Sequence, residues 1–427
     1  MEESLEASGA IPDTRHPLAY RDYRLFWVAR FCGVIATMSL VVVLGWQVYD
    51  VARSDYGMSP STAAFQLGIL GFVQFVPLFL LTPVSGVVAD RYDRRLVAVI
   101  SVLTDILVAT GLGLATYLEI LTLPLLFALA ALHGVARIFF GPAMNSLAPN
   151  LVPAKVIPRA IATNAIAWQF AAVLGPAVGG MAFAVFPALP YILAVVLLAL
   201  SAGLIAAIKP IRRPDIDLTV HPLRQIRDGL RFVWHDRFLL GAISLDLFAV
   251  LLGGVTALLP VFARDILQVG PVGLGWMRAA PAVGAGLVAL WFAFKPMERN
   301  VGVKMLWSVA IYGLATAIFG FSSYLLLSLA VLVVLGAADM VSVFVRNSLV
   351  QLNTPDSMRG RVSSLSGLAI SASNELGELQ SGIAAALIGA TGAVVFGGAG
   401  AVMVTLIWAF AFPELKNART FAPAYRE

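Results

Sequence analysis

Gly134-Val-Ala-Arg-Ile-Phe-Phe-Gly141 opens a 47-residue stretch that closes on Leu174-Gly-Pro-Ala-Val-Gly-Gly180, and the chain contains a second version of it. That version runs from Gly336-Ala-Ala-Asp-Met-Val-Ser-Val343 to Leu376-Gly-Glu-Leu-Gln-Ser-Gly382, displaced by 202 residues. Eleven of the 47 positions are identical without a gap, including Asn145-Ser-Leu147 with Asn347-Ser-Leu349, Arg159 with Arg361, and Gly180 with Gly382. Biased composition alone would give about four. Two homologous halves are therefore expected.

The residues around the repeat say what the halves are made of. Of 427 residues, 59% are hydrophobic and 12% charged, with a mean hydropathy of +0.88. Soluble domains carry about 25% charged residues, so too few polar groups remain to cover a surface facing water. That excludes a cytosolic enzyme, a nucleic-acid binder and a secreted disulfide scaffold. Cys32 is the single cysteine, and His16, His133, His221 and His235 show no metal-ligand spacing, so neither a metal nor another cofactor is expected. A bilayer crossing takes roughly 20 apolar residues. Apolar runs at 25–49, 62–88, 96–118, 122–148, 160–186 and 187–208 predict six spans. Runs at 238–263, 271–294, 303–321, 323–350, 360–389 and 391–412 predict six more.

The fold class is thus an all-α membrane protein with twelve transmembrane helices in two homologous six-helix halves. The expected organisation is a cytoplasmic N-terminal segment 1–24, a half at 25–208, a linker at 209–237, a half at 238–412 and a cytoplasmic tail at 413–427. The acidic start Met1-Glu-Glu-Ser-Leu-Glu6 lacks the basic region of a cleavable signal. With both termini placed inside, 23 Lys and Arg fall in inner segments, two outside (Arg53 and Arg264) and four within spans (Arg30, Arg137, Arg278 and Arg346). This obeys the positive-inside rule at every loop, and the net charge of +5 anchors the chain to an anionic leaflet rather than to nucleic acid. In the linker, Leu223, Ile226, Leu230 and Val233 at helical spacing beside Arg224, Arg227 and Arg231 predict an amphipathic helix tethering the halves.

Three motifs lie on this scaffold. The loop between spans 2 and 3 reads Gly86-Val-Val-Ala-Asp90-Arg91-Tyr-Asp93-Arg94-Arg95. Span 4 has Arg137-Ile-Phe-Phe-Gly141, and span 5 has Gly175-Pro176-Ala-Val-Gly179-Gly180. In this order they resemble the signatures of the major facilitator superfamily, with Asp93 where that pattern has a second glycine. His16-Pro-Leu-Ala-Tyr-Arg-Asp-Tyr-Arg, Ala29-Arg-Phe31, His221-Pro-Leu-Arg and Thr354-Pro-Asp-Ser-Met-Arg-Gly-Arg-Val362 narrow the resemblance to the enterobactin-exporter and macrolide-efflux group, over nearly the whole chain. The resemblance implies rocking halves, with spans 1, 4, 7 and 10 lining a cavity. It also implies a gate at Gly86, Asp90, Arg91, Arg94 and Arg95, and efflux of a siderophore or an amphiphilic drug.

Acids inside spans are costly, about 2.5–3.5 kcal/mol each at the bilayer centre, and default to function. Glu375 and Glu378 lie three apart on one face of span 11, about 22–27 Å along it. Two carboxylates so close in low dielectric cannot both ionise cheaply, and Glu378 stands where the repeat has Pro176. Glu378, Glu375, Asp246 and Asp339 are therefore the proton-coupling candidates; glutamates bonded to Ser371 or Asn374 are the structural alternative. Arg137 and Asp339 are repeat equivalents on lining spans, and a pair between them, switching or static, is expected. Trp46, Gln47, Trp168 and Gln169 join Arg137 as substrate-cavity candidates, with an interfacial aromatic belt the simpler explanation for Trp46 and Gln47. Asp105 is expected to be locally hydrogen-bonded, and Arg30 to snorkel.

No nucleotide-binding loop and no His–acid or Ser–His clustering is present, so ATP hydrolysis and a membrane enzyme are set aside. The expected function is a monomeric proton-coupled exporter in a bacterial inner membrane. Its partners are a small-molecule substrate, protons and the lipid bilayer, with no catalytic residues, metal or nucleic acid. A lipid or nutrient importer of the same fold and a transport-inactive receptor are the alternatives.

Overall fold

The computed structural model describes residues 16–210, 222–295 and 297–421, apart from the side chains of 83, 86, 87, 89, 90, 222–226, 356 and 357. Among the described residues there is no strand, and twelve long helices follow the expected order. They are α1 (Arg21–Ser54), α2 (Pro60–Arg91), α3 (Arg94–Tyr117), α4 (Leu123–Leu147), α5 (Ile157–Val185) and α6 (Leu189–Ala206). After the linker helix Pro222–His235 come α7 (Arg237–Ile266), α8 (Gly270–Phe294), α9 (Val301–Gly320), α10 (Leu325–Asn353), α11 (356–388) and α12 (390–411). The last two are one apolar run interrupted at Gly389, whose φ of 75° ends the first helix. A left-handed residue without a Cβ breaks the run in a single step.

Local chemistry sets the other ends. Ser59 caps α2, accepting from the Thr62 amide at 3.2 Å, with Pro60 in the first turn. Asp93 occupies the position of the missing glycine and caps α3, accepting from the Arg95 amide at 2.9 Å. The sharp turn is thus built by a capping carboxylate. Asp236 caps α7 with bonds from the Phe238 and Leu239 amides, both at 3.0 Å. The expected single helix 238–263 is instead broken: Gly253 and Gly254 interrupt it, a 3-10 turn covers Val255–Leu258, and Phe262–Ile266 is a π-turn. Such wide turns recur at functional sites.

The bundle is turned inside out relative to a soluble protein. Leu107, Leu287, Leu326 and Phe410 are exposed on its outside, which is where lipid takes the place of water. In the first half α1 packs on α5 and α6, α2 on α4, and α3 on α4 and α6. The halves meet along two crossings, α2 with α11 and α5 with α8. At the first, a Cβ on Gly68 would lie 3.0 Å from the Gly382 Cα, and one on Gly382 2.5 Å from the Gly68 Cα. At the second, Gly180 meets Gly275 in the same manner. Small residues let backbones touch where no hydrophobic force draws helices together.

Of the linker helix, Val233 is buried against Val350 and Val362, while Leu230 and Trp234 are exposed. Asp228 reaches Arg361 at the start of α11, 3.3 Å away. Leu223, Arg224 and Ile226 fall outside the described side chains, and 1–15 and 211–221 outside the described residues.

Placing a side chain at the α2–α11 crossing must part the two halves. Gly382→Val should cost about 1–3 kcal/mol through overpacking, read as a lower melting temperature of the purified protein. Gly203→Ala on α6, whose Cβ meets nothing within 4 Å, should not lower it.

Candidate functional site

Between the halves lies a cavity of about 430 Å³ with walls from α1, α2, α4, α5 and α7–α11. Met38, Val41 and Val42 of α1 and Leu335 and Gly336 of α10 make it largely apolar. Its polar side chains are Gln74, Arg137, Trp168, Gln169, Thr256, Arg278, Tyr312, Asp339, Asn374, Glu375 and Glu378.

The two glutamates of α11 meet two arginines from opposite halves. Arg137 Nη1 on α4 is 3.9 Å from Glu375 Oε1, and Arg278 Nη2 on α8 is 3.9 Å from Glu378 Oε1. Each guanidinium is also held from behind. Arg137 donates to Gln74 Oε1 on α2 at 3.4 Å, and Arg278 to the Thr256 carbonyl oxygen in the broken part of α7 at 2.9 Å. Gly71 on α2 makes room for Glu378, since a Cβ there would stand 2.6 Å from the Glu378 Cβ. The carboxylates of one helix therefore bear on α2, α4 and α8. The Arg137–Glu375 pair joins the halves.

The expected pair between Arg137 and Asp339 is corrected. Arg137 turns to Glu375, and Asp339 lines the cavity without an ion partner among the described residues. Asp246 lies behind the wall, joined to Arg346 on α10, with Ser342 Oγ donating at 3.5 Å. Trp168 and Gln169 do line the cavity, and Gln169 donates to the Ala282 carbonyl oxygen of the other half. Trp46 and Gln47 do not line it. Gln47 is bound by the Tyr191 hydroxyl and donates to Thr116 Oγ1 at 3.0 Å, and Trp46 lies edge-on to Phe183. All these partners belong to their own half, so both residues pack the bundle. Asp105 Oδ1 is 2.8 Å from His133 Nδ1 in a buried pair between α3 and α4. Arg30 donates to Asn145 Oδ1 at 2.8 Å.

In the helix-5 motif, Gly175 and Gly179 press on α1, against Met38 and Ser39, Pro176 lines the cavity, and Gly180 meets α8. In the loop motif Arg94 donates to the Ser146 carbonyl oxygen at 3.1 Å, and Arg95 grips Asp93 at 2.7 Å. That guanidinium holds the Asp93 carboxyl below the usual carboxylate range. Arg91 is exposed, and the side chains of Gly86 and Asp90 lie outside those described.

One cluster was not singled out from the sequence. At the end of the bundle away from the linker helix, Arg264 donates to Ser54 Oγ at 2.8 Å and lies 3.0 Å from Asp50. Asp265 accepts from the Tyr49 hydroxyl at 2.5 Å, with Arg53 3.3 Å away. These contacts tie α1 to the π-turn of α7 and seal the far end. The signal was present as Arg53 and Arg264, the two cations outside the inner segments and the spans.

The family profile described as transmembrane secretion effector matches residues 13–424. The chain belongs to that family, within the major facilitator superfamily. Its members are transporters, and this family member is a multi-pass membrane protein of that type. The enterobactin exporter EntS of Escherichia coli (strain K12) is 26% identical over 414 residues, 94% of each chain. The same figures hold for EntS of Shigella boydii serotype 18. Among solved structures, a D-xylose–proton symporter superposes with a TM-score of 0.70 at 14% identity, covering 92% of this chain and 98% of the other. A bacterial homologue of the iron transporter ferroportin, in an inward-facing state, gives 0.65 at 18%, with 92% and 98% covered.

The Asp246–Arg346 pair gives a clean test of the site's framework. Arg346→Met alone leaves a buried carboxylate uncompensated and should cost about 3–5 kcal/mol, seen as loss of monodisperse protein in gel filtration. The double variant Asp246→Leu with Arg346→Met should recover most of the yield.

Proposed function

We propose that the protein is a secondary active exporter that works by alternating access in a bacterial inner membrane. Protons drive it, and it moves a siderophore or an amphiphilic drug-like molecule outward. The observation that carries this reading is the four-group arrangement of Glu375, Glu378, Arg137 and Arg278. A coupling site must alternate between protonated and ionised forms as access alternates, and it must touch both halves. A carboxylate whose counter-ion sits on the opposite half meets both needs. When the halves rock, the Arg137–Glu375 distance changes, and with it the ease of ionising Glu375. Glu375 meets both needs directly; Glu378, whose partner Arg278 lies on its own half, is the first-ranked proton carrier through its closeness to Glu375 on one helix face, and Asp246, already neutralised by Arg346, is the reserve.

The halves 25–208 and 238–412 are the rocking bodies, acting as a monomer with both termini and the linker on the cytoplasmic side. On that assignment the far-end contacts close the outside and the cavity faces the cytoplasm. Asp90 and Arg91 close the inner side in the opposite state. Likeness to an enterobactin exporter, 26% identical over 94% of the chain, supports export and admits a siderophore as cargo.

Two experiments check this. In a Cys32→Ser background, cysteines at Asp55 and Gly270 should react with an impermeant maleimide from outside, while those at Asp93 and Asp217 should not; reversed labelling overturns the topology. In proteoliposomes loaded with Hoechst 33342, an imposed pH gradient should drive dye movement by the wild type. Glu378→Gln mimics the protonated carboxyl and should abolish that pH-driven movement while dye still binds. Full rates with unchanged pH dependence in both Glu378→Gln and Glu375→Gln would remove α11 from coupling.

A further inference from the structure

The charges of the cavity do not cancel. Its ionisable lining residues are Arg137 and Arg278 on one side of the account and Asp339, Glu375 and Glu378 on the other. Arg137 faces Glu375 and Arg278 faces Glu378. Asp339 is left over. The next cation on its own helix, Arg346, is committed to Asp246 on α7. Tyr312 on α9 stands nearby, but its hydroxyl donates to the Gly253 carbonyl oxygen at 2.9 Å. Among the described residues Asp339 has no hydrogen bond and no ion pair. A carboxylate exposed to an apolar cavity at mid-membrane is kept at a cost, and a ligand that brings one positive charge removes the cost.

We propose that Asp339 selects the substrate by pairing with the single positive charge of an amphiphilic organic cation held in this cavity. The proposal rests on the transporter reading and names the substrate class for the same site. An inorganic divalent ion does not suit the position. Such ions take six or more oxygen ligands, and no group of three His, Cys, Asp or Glu among the described residues is placed to hold a metal. An anion does not suit it either, because both cavity guanidiniums already face carboxylates. An organic cation fits on three counts. Val250, Leu335 and Gly336 line the same cavity and take an apolar body. Trp168 lines the same cavity, and an aromatic ring there attracts a poorly hydrated cation. About 430 Å³ accommodates a drug-sized molecule. A proton and such a cation also compete for the Asp339 carboxylate, so cation binding weakens as pH falls, separately from the coupling site on α11.

Tetraphenylphosphonium and tetraphenylborate are matched in size and opposite in charge, and they separate this proposal from simple apolar binding. Binding of each is measured by equilibrium dialysis with the full chain in nanodiscs. The wild type should bind tetraphenylphosphonium more tightly than tetraphenylborate, with weaker cation binding as pH falls. Asp339→Asn should weaken tetraphenylphosphonium about ten- to hundredfold without weakening tetraphenylborate, and Asp339→Glu should stay within a few-fold of wild type. Unchanged cation binding in Asp339→Asn overturns the proposal. So does a wild type that prefers tetraphenylborate, a result that needs no variant to fold. If charge selectivity through Asp339 holds while Glu375→Gln and Glu378→Gln keep full pH-driven transport, the cation site stands and the coupling reading fails.

Discussion

An unpartnered charge in hydrocarbon is costly, and the placement of the partners divides the ion pairs of this bundle into those within one half and those between the halves. Asp246 with Arg346 and Asp105 with His133 are closed within one half. They hold α7 to α10 and α3 to α4 and are not broken when one half moves against the other. Glu375 with Arg137, Asp50 with Arg264 and Asp265 with Arg53 cross between halves. Any relative rotation must break or remake them. The same chemistry thus ties helices within a half in one place and joins the two halves in another, and the helix carrying the partner decides which.

The contact surface between halves is suited to this division. Where α2 crosses α11 and α5 crosses α8, glycines bring backbones together with little side-chain interdigitation. Such a seam offers close packing without deep knobs that would have to be withdrawn during motion. The repeat explains why there are two equivalent seams, since Gly180 and Gly382 are counterparts 202 residues apart. It also explains where equivalence ends. Pro176 and Glu378 occupy matching positions, and both line the cavity, so one seam carries a helix kink residue and the other a titratable group.

Much of this was legible in the sequence because it depends on quantities a sequence carries directly. Span count follows from apolar run length, the halves from the repeat, and the α11 carboxylates from the cost of burying them. Contacts were not legible in the same way. Repeat arithmetic relates Arg137 to Asp339 but does not say that equivalent positions touch; the helix facing Arg137 is α11, outside that relation. Trp46 and Gln47 were misplaced because α1 is apolar nearly all round, so periodicity does not tell which face meets the cavity and which meets α3 and α6. The far-end cluster escaped because its members are spread over 49–54 and 264–265, and only the fold joins them.

The far-end contacts are modest in strength. Arg264 engages α1 through three polar contacts and Asp265 through two, and these groups are part-exposed, where an ion pair is worth about 0–1 kcal/mol. With the Tyr49 bond at about 1 kcal/mol, the cluster contributes a few kcal/mol to holding the far end shut. Reversing a two-state equilibrium from 1:99 to 99:1 takes about 5.5 kcal/mol of differential binding. Glu375 is buried, so its pair with Arg137 lies outside that exposed range. On the proposed rocking mechanism, differential binding in the cavity would have to supply the energy that opens the far end. The buried Asp246–Arg346 pair, several kcal/mol costlier to break, keeps its half intact meanwhile.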